Sequence, residues 1–425
     1  MAKTTNKRHL YVYAHWKGMP EPMIMGELVS ERLKGKEIFS FEYDNDWLQS
    51  NNGQLLDPEL QLYAGKQHLT GDKTNFGLFL DSSPDRWGSL LMRRREAALA
   101  RKEERTEQKL FATDYLLGVF DGHRMGALRF KLDKLGPFLN DNKAQASPPW
   151  TTLAELENIS LKLEQDDIID DPEYLKWLSM LVAPGASLGG ARPKASIVAK
   201  DGSLWIAKFP SKNDEGDTGG WEIVTHELAI AAGIKMAESK AQKFSSNYHT
   251  FLTKRFDRKP DGTRIHFASA MTMLGYTDGD DHEKGISYLE LAEFISENGA
   301  NVNGDLEELW RRIVFSICVS NTDDHLRNHG FILSEEGWLL SPAYDINPVE
   351  TASGLKLNIS ANDNSLDLDL TMEVHQFFRL TEEKANEIKK TVINSVKNWR
   401  SLANKYGISR AEQELKALAF KAIGY

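Results

Sequence analysis

The chain has 425 residues, which corresponds to two or three domains at roughly 150 residues each. With 41% hydrophobic residues, 27% charged residues and one cysteine, it can bury a substantial core, and an intrachain disulfide is excluded. The net charge of -10 argues against non-specific nucleic-acid binding by the chain as a whole, which leaves a local basic patch or a DNA-binding partner open.

The expected location is the cytoplasm. The lone cysteine, Cys318, fits a reducing compartment, and the apolar run around it at 313–319 predicts a small buried core residue rather than a nucleophile. No run of about 18 apolar residues marks a transmembrane helix, so no membrane contact is expected. Basic residues near the N-terminus are not followed by an apolar stretch, and we therefore expect no secretory signal.

Short strands dominate the first predicted elements. Alternating apolar residues predict strands over residues 9–16, 24–28 and 38–43. A segment rich in Ala, Leu, Arg and Glu then predicts a helix over about 85–108, with Ser83-Pro84-Asp85 as its start signal. The arginines at 93–95 are expected to form a solvated face of this helix, with contact to an acidic partner or to DNA phosphate as the alternative.

The middle of the chain alternates helices and strands. A polar stretch at 140–149 predicts a linker. Helices are predicted over about 153–165, 172–182 and 221–232. A hairpin that turns at Asp201-Gly202 is predicted over 187–209, and a strand over 250–256 precedes a second Asp-Gly turn. From about residue 289 we expect mostly helix, interrupted by an acidic loop.

The acidic loop and the segment after it carry the strongest chemical signal. Asn328 follows Asp323 by five positions, and Asp345 follows Asn328 by seventeen. In kinases an Asp takes or orients the proton of the attacking hydroxyl, while an Asn and a second Asp hold magnesium on the nucleotide phosphates. The spacing therefore predicts Asp323 as the catalytic base and Asn328 and Asp345 as magnesium ligands, with an acidic surface turn as the alternative.

Other polar residues of the loop have less specific roles. His325 and His329 stand four positions apart, but no Cys or third His accompanies them at the spacing that zinc requires. His325 is expected to bond the loop backbone or to pack. Because the adjacent side chains of Asp323 and Asp324 diverge, one of the two is expected to be structural.

Two upstream features could bind a nucleotide. The segment Ser187-Leu188-Gly189-Gly190-Ala191 can bring backbone N–H groups close to phosphate oxygens, although a plain turn is the alternative. It is not a P-loop, because no Gly-Lys-Ser or Gly-Lys-Thr leads into a helix. Lys208 lies in an apolar strand, where its ammonium needs an anion such as phosphate unless the strand is an edge that faces water.

The predicted helix at 221–232 could hold Lys208 in place. A strand Lys pairs with a helix Glu in protein kinases. Glu222 and Glu227 both qualify for this pairing, and Glu222 is favoured because it lies near the helix start. A solvated glutamate is the alternative for either.

With these motifs in kinase order, the chain resembles the HipA-type serine/threonine kinases, the toxins of bacterial toxin–antitoxin pairs. The resemblance is carried by residues 84–88, 187–194, 205–210, 254–258, 321–328 and 344–345. We therefore expect an α+β, two-lobed protein-kinase-like fold. The expected domains are a β-rich accessory domain at 1–138, a nucleotide-binding lobe with the glycine loop at 150–255 and a mostly helical catalytic lobe at 256–425.

The resemblance also implies roles for individual residues. ATP and Mg²⁺ would be the cofactors, and Lys208 would contact the nucleotide phosphates. Lys254 to Phe256 would form the hinge that holds adenine, and Asp257 and His325 would complete the ATP-binding set. Ser187 would be autophosphorylated, and the added dianion would shut the kinase off by repelling the nucleotide phosphates or by expelling the loop.

The implied activity is ATP-dependent phosphorylation of Ser or Thr on a cytoplasmic protein, with translation as the expected process, which slows growth. The implied partner is a HipB-like DNA-binding antitoxin that neutralises the kinase, and the complex would bind operator DNA. Two alternatives stay open: a small-molecule phosphotransferase with the same fold, and a non-catalytic corepressor that only binds the antitoxin.

Overall fold

A computed structural model of the chain describes residues 7–50, 53–71, 73–143, 149–165, 168–181, 192–351 and 353–424. The chain divides into two compact units: unit 1 is Met1–Ala207 with Asp257–Ala268, and unit 2 is Lys208–Phe256 with Ser269–Tyr425. The predicted α+β class is confirmed by helices and strands throughout. The predicted division into three domains stays a prediction.

The strands are β1 (Lys7–Ala14), β2 (Met23–Leu33), β3 (Lys36–Tyr43), β4 (Lys66–His68), β5 (Leu128–Lys131), β6 (Lys194–Val198), β7 (Leu204–Lys208), β8 (Ser239–Gln242), β9 (Thr250–Lys254), β10 (Phe267–Ser269), β11 (Gly330–Ser334) and β12 (Gly337–Leu340).

The α-helices are α1 (Asn45–Gln49), α2 (Gly77–Asp81), α3 (Arg86–Lys102), α4 (Ala112–Gly118), α5 (Leu153–Leu163), α6 (Tyr174–Leu181), α7 (Thr218–Ala231), α8 (Ala270–Met273), α9 (Tyr288–Asn298), α10 (Val302–Val319), α11 (Leu368–Val374), α12 (Glu382–Val396), α13 (Trp399–Lys405) and α14 (Arg410–Lys416).

Unit 1 is built on an antiparallel sheet with the strand order β4-β3-β2-β1-β5. The predicted alternation is present, because Leu10, Val12 and Ala14 of β1 are fully buried. The pairing of β1 with β2 shifts register after Val12, opposite Gly26. A side chain at Gly26 would place its Cβ 2.3 Å from the Glu42 carbonyl oxygen, so only glycine fits this close approach.

Helix α3 begins where the sequence predicts and ends earlier. Asp85 caps it by accepting a hydrogen bond from the Gly88 N–H at 2.8 Å. The predicted end near residue 108 is wrong, because Glu96 binds Arg105 and the Gln108 N–H and so turns the chain back after Lys102. Of the three predicted surface arginines only Arg93 is exposed.

The start of the predicted linker is bonded to unit 1. The Asn140 N–H donates to the Val119 carbonyl, and its own carbonyl accepts from the Asp121 N–H. Nearby, the buried guanidinium of Arg124 donates to the carbonyls of Ser82, Leu116, Val119 and Leu139. These bonds hold the chain around residue 140 in place, and the predicted linker at 140–149 stays a prediction.

Helix α10 forms the centre of unit 2 and packs against α9, α11 and α12. Cys318 is fully buried in it, and burial raises the pKa of its thiol to about 12, as expected for an inert core residue. The helix ends at Ser320, whose φ of 51° is left-handed. The hairpin of β11 and β12 then interrupts the helical region, which the sequence pattern did not predict.

Helix α7 of unit 2 begins three residues before the predicted start. The glycines at 219 and 220 weaken helix propensity, but the Asp217 carboxylate caps the helix by accepting from the Gly220 N–H at 2.9 Å. The same carboxylate accepts from the His249 N–H at 2.8 Å, which anchors the helix start. Among the helices described, none is both long and apolar enough to cross a bilayer.

Candidate active site

Lys208 at the end of β7 bridges two carboxylates inside unit 2. Its Nζ donates to Glu222 Oε1 at 2.5 Å and to Asp345 Oδ1 at 2.7 Å. Burial alone lowers the pKa of the ammonium, but the charges of Asp345 and Glu222 outweigh burial and raise the pKa above its ordinary value. Lys208 is therefore a buried, permanently charged cation at neutral pH, and its surroundings match the anion requirement inferred from the sequence.

The two candidate glutamates of α7 have separate partners. Glu222 is buried and faces Lys208. Glu227 lies at the other end of the helix, where its carboxylate accepts from Lys405 Nζ at 2.7 Å and from the Tyr406 hydroxyl. The structure thus places Glu222 at the lysine and Glu227 on the surface between α7 and α13.

Asp345 is presented on a tight turn. Its φ of 58° lies in the left-handed region, which is uncommon for a residue with a side chain and is often found at functional sites. Besides Lys208, its Oδ1 accepts from Asn347 Nδ2 at 3.3 Å. The neighbouring Tyr344 hydroxyl donates to the Arg327 carbonyl at 2.7 Å, which ties this turn to the acidic loop.

The acidic loop leaves Asp323 exposed and fixes Asn328. The Asn328 side chain donates from Nδ2 to the Asp323 carbonyl at 2.8 Å. The backbone N–H of His325 donates to the same carbonyl at 2.9 Å. The loop backbone is thereby tied down, while the Asp323 side chain lies at the surface, where a substrate hydroxyl can reach it.

Asp324 is the structural member of the acidic pair. It is buried, and its Oδ2 accepts from the Tyr288 hydroxyl at 2.6 Å. His329 Nε2 lies 3.1 Å from its Oδ1. Burial alone would raise the pKa of this carboxyl, but His329 and the Tyr288 hydrogen bond lower it below its ordinary value. Asp324 therefore anchors the loop inside unit 2, as expected for one of the two adjacent aspartates.

Oxygen donors of the acidic loop and of the Asp345 segment have the chemistry that a magnesium ion requires. The Oδ1 of Asn328 is buried and has no hydrogen-bond partner among the described residues, although its Nδ2 is engaged. The Oδ1 of Asn347 is likewise buried without a hydrogen-bond partner among the described residues. With the Asp345 carboxylate these atoms offer hard oxygen ligands. No cluster of three or more His, Cys, Asp or Glu that could hold a metal occurs in the described part of the chain.

Asn347 is a site residue that sequence reasoning missed. It lies two residues after Asp345, and its N–H donates to Asn321 Oδ1 at 3.1 Å. Asn321 stands at the start of the acidic loop, so this bond joins the loop to the Asp345 turn. The only sequence signal is the position of Asn347 just beyond a predicted metal ligand, which by itself says nothing about its contacts.

The predicted ATP-binding residues outside this cluster have varied surroundings. Lys254 Nζ donates to Glu238 at 3.0 Å, and the Phe256 ring lies 5.8 Å from the Tyr344 ring, both within unit 2. Asp257 is buried in unit 1, where it accepts from the Gly126 N–H at 2.9 Å and from Arg258. His325 Nδ1 is buried without a hydrogen-bond partner in the described ranges.

The predicted glycine loop is not among the residues that the structure describes. Ser187, Leu188, Gly189, Gly190 and Ala191 lie outside the described residues, so the roles assigned to them stay predictions. The strand that follows is present as β6, and the Asp201-Gly202 turn to β7 is present with Gly202 at a φ of 82°.

The chain is similar to a known protein family and to several known proteins. The HipA-like C-terminal domain family matches residues 186–400, just over half of the chain. A Haemophilus influenzae protein whose name classes it provisionally as a kinase is 26% identical over 183 residues, which is 38% of this chain and 52% of that protein. The chain spans about half of the length of the first curated relatives it matches.

Two longer matches come from Shewanella oneidensis. The serine/threonine-protein kinase toxin HipA is 23% identical over 362 residues, which cover 77% of this chain and 73% of the toxin. A solved structure of the toxin–antitoxin system HipA, HipB and its operator DNA has a chain that superposes with a TM-score of 0.65. That match covers 97% of this chain and 95% of the other at 17% identity, which establishes a shared fold.

Proposed function

Because the chain belongs to the HipA-like C-terminal domain family, we propose that it is an ATP- and Mg²⁺-dependent serine/threonine protein kinase that acts as a growth-inhibiting toxin. The observation that carries this proposal is the buried bridge from Lys208 to Glu222 and Asp345. A lysine held between a helix glutamate and a metal-ligand aspartate is the arrangement that protein kinases use to hold nucleotide phosphates.

In the proposed reaction Lys208 binds the ATP phosphates. An ammonium has three N–H donors, and the bonds to Glu222 and Asp345 use two of them. The third can therefore reach a phosphate oxygen while the two carboxylates fix the side chain. Because Lys208 is already charged and oriented, little reorganisation is needed as charge develops on the transferred group.

Asn328 and Asp345 would hold Mg²⁺. When bound, the ion neutralises charge on the phosphate oxygens. Asn328 is suited to this role because its Nδ2 is fixed to the Asp323 carbonyl, which leaves the buried Oδ1 for a cation. Asn347 orients the Asp345 carboxylate through its Nδ2 and offers a further amide oxygen.

Asp323 would orient the hydroxyl of the protein substrate and accept its proton. Its side chain is exposed, whereas its carbonyl is fixed by Asn328 and the His325 N–H. The γ-phosphoryl group would leave the bridging oxygen of ATP, release ADP and bond to the substrate oxygen, so that catalysis would consist mostly of positioning and charge stabilisation.

Label transfer from ATP tests the kinase proposal. The purified protein is incubated with Mg²⁺, γ-labelled ATP and cell lysate, beside Asp323→Asn and the matched surface variant Asp369→Asn. We expect label in a discrete protein band for the wild type and Asp369→Asn, and its loss in Asp323→Asn. Label that enters only a small metabolite would instead make the chain a small-molecule phosphotransferase.

The toxin role has its own test. We propose a HipB-like DNA-binding antitoxin as the partner, an operator-bound complex as the repressing form and a cytoplasmic protein of translation as the target. Expression of the wild type should slow growth, and Asp323→Asn should not. Equal growth inhibition by both would favour the non-catalytic corepressor.

Regulation is proposed to act at Ser187. Intact-mass measurement of protein produced in the presence of ATP should show one added phosphate, which the Ser187→Ala variant should lack. A phosphate mapped to another residue, with Ser187 unmodified, would contradict this part of the proposal while leaving the kinase assignment in place.

A further inference from the structure

The C-terminal segment Arg410–Ile423, which we call the C-terminal clamp, contacts two segments that lie next to residues of the candidate site in the sequence. It consists of α14 and the 3-10 turn Ala417–Ile423. All of its contacts described below lie within unit 2. None of the sequence motifs covers this segment.

Glu412 bonds the N-terminal end of α7. Its Oε1 accepts from the backbone N–H of Asp217, the helix cap, at 2.7 Å, and from Trp221 Nε1 at 2.9 Å. Trp221 directly precedes Glu222, the partner of Lys208. One carboxylate oxygen of the clamp thus fixes both the cap and the first turn of the helix that holds Lys208.

Lys416 bonds the segment after Asp345. Its Nζ donates to Glu350 Oε2 at 2.7 Å and to the Pro348 carbonyl at 3.3 Å. The Lys416 charge helps to lower the pKa of the Glu350 carboxyl against the opposing effect of burial, so the pair is ionised at neutral pH. Lys416 therefore ties the chain three to five residues beyond the proposed metal ligand.

The clamp does not completely fill the space between the start of α7 and the segment after Asp345. A cavity of about 220 Å³ lies between the start of α7, the chain around Asn347 and the clamp. Aromatic packing of Trp221 with Trp399 and Phe420 secures the helix on its other side. Phe420 is part of the clamp, so the bonds of Glu412 and Lys416 act together with this aromatic packing.

We propose that Glu412 and Lys416 are positioning residues that together hold the Glu222 end of α7 and the Asp345 turn at the separation at which both reach Lys208. The inference rests on the proposed kinase function for its catalytic consequence. Its geometric part does not depend on catalysis. Neither residue touches Lys208 or the proposed metal ligands, so each acts through the segment that it bonds.

The expected consequence of losing a bond is misplacement rather than unfolding. Glu222 and Asp345 approach Lys208 from two elements that are far apart in the sequence, and a shift of about 1 Å in one of them can slow an enzyme by up to about a hundredfold. For Glu412→Met and Lys416→Met, each of which removes the bonding atoms, we expect the kcat to fall about tenfold or more, with a higher requirement for Mg²⁺ and a small change in the melting temperature.

The chain offers matched controls. Glu414 lies on the same helix but pairs with Arg400 of α13, at 3.1 Å and with an exposed side chain, so Glu414→Met makes the same chemical change without touching either segment. Lys416→Arg retains the cation and should restore most of the activity, because an arginine can also bond Glu350 and the Pro348 carbonyl.

The test combines hydrogen–deuterium exchange with kinetics on the full chain. Exchange of peptides covering 217–222 and 344–350 is measured in the wild type, Glu412→Met, Lys416→Met, Lys416→Arg and Glu414→Met. We expect faster exchange at 217–222 in Glu412→Met, and at 344–350 in Lys416→Met, and wild-type exchange in Glu414→Met.

Two results would overturn the inference: unchanged exchange in both peptides, or faster exchange with kcat and the Mg²⁺ requirement of the wild type. A wild-type protein that transfers no phosphate would defeat the proposed function instead. In that case the exchange data alone decide whether Glu412 and Lys416 hold these segments.

Discussion

Each of the two units contains a buried lysine whose ammonium pairs with a carboxylate, and the two ion pairs differ in their exposure to solvent. Lys194 of β6 and Lys208 of β7 both lie in apolar strands and both find a carboxylate. Lys194 donates to Asp85, which also caps α3, and both side chains are almost completely buried, at 6% and 1% exposure. Lys208 joins two carboxylates, and the side chain of one of them, Asp345, is 22% exposed.

The difference distinguishes a structural ion pair from one that we propose to be catalytic. Asp85 is committed to a helix cap and closed from solvent, so the Lys194 pair joins β6 to α3. Asp345 has a left-handed backbone conformation and remains partly open to solvent, and the Oδ1 of the adjacent Asn347 side chain has no hydrogen-bond partner among the described residues. A buried lysine therefore indicates that an anion is near, and only the exposure and conformation of the anion indicate chemistry.

The largest expected effect separates the two lysines by function. Lys208→Met should lower the rate of phosphoryl transfer about 10³-fold, or about 4 kcal/mol, because it removes the donor to the transferred charge. The rate is measured with γ-labelled ATP at saturating Mg²⁺. A variant that retains more than a tenth of the wild-type rate would contradict the assignment of Lys208 to the phosphates.

The same substitution at Lys194 should affect stability instead. Lys194→Met leaves Asp85 as a buried carboxylate without its cation, and breaking a buried pair in this way costs about 3 to 4 kcal/mol. Urea unfolding measures the loss, with Lys176→Met on the exposed face of α6 as the control. A stability unchanged within about 0.5 kcal/mol would show that the pair contributes nothing net.

The two units should also differ in their response to pH. Burial raises the pKa of Asp57 in unit 1 to about 6, against the opposing bonds from the Leu78 and Glu59 N–H groups. Since the unfolded group titrates near 3.8, the folded state binds more protons in between, and stability falls as pH rises from 4 to 7. In unit 2 the pKa of Asp324 is lowered, so its contribution is lost only as pH falls below about 4.

Asp57→Asn isolates the first of these effects. The free energy of unfolding of the wild type minus that of the variant should decrease by about 2 kcal/mol between pH 4 and pH 7. Urea titrations at four pH values across this window measure the difference. A difference that does not change with pH would mean that Asp57 titrates normally in the folded chain.

The smallest effect distinguishes the two glutamates of α7. Glu222→Gln should slow phosphoryl transfer about tenfold, or about 1.4 kcal/mol, because Lys208 keeps Asp345 but its helix partner no longer carries a charge. Glu227→Gln removes the same charge from the same helix at its surface pair with Lys405 and should leave the rate within about twofold. Equal losses in both variants would indicate a general effect on α7.

The features that local patterns determine were predictable from the sequence. The alternation in β1, the cap at Asp85 and the turn at Asp201-Gly202 each depend on neighbouring residues, and the structure contains them. The need of Lys208 for an anion also follows from its own strand. The start of α7 was misplaced because its cap bonds His249, which is 32 residues away.

Contacts between distant segments were not predictable in the same way. Asp345 meets Lys208 across 137 positions, and Glu412 meets Trp221 across 191. The spacing of Asp323, Asn328 and Asp345 suggested a shared site only because kinases use that order of groups. Asn347, Glu412 and Lys416 have no such pattern, and their roles depend on tertiary contacts alone.

Phosphoproteomics of cells that express the wild type or Asp323→Asn tests the central claim most directly. The account predicts that a small set of Ser or Thr sites on cytoplasmic proteins is occupied in cells with the wild type and empty in cells with Asp323→Asn, at equal amounts of both proteins. Identical phosphorylation in the two cultures, with the wild type folded and able to bind MgATP, would contradict a protein kinase at the Lys208–Glu222–Asp345 cluster.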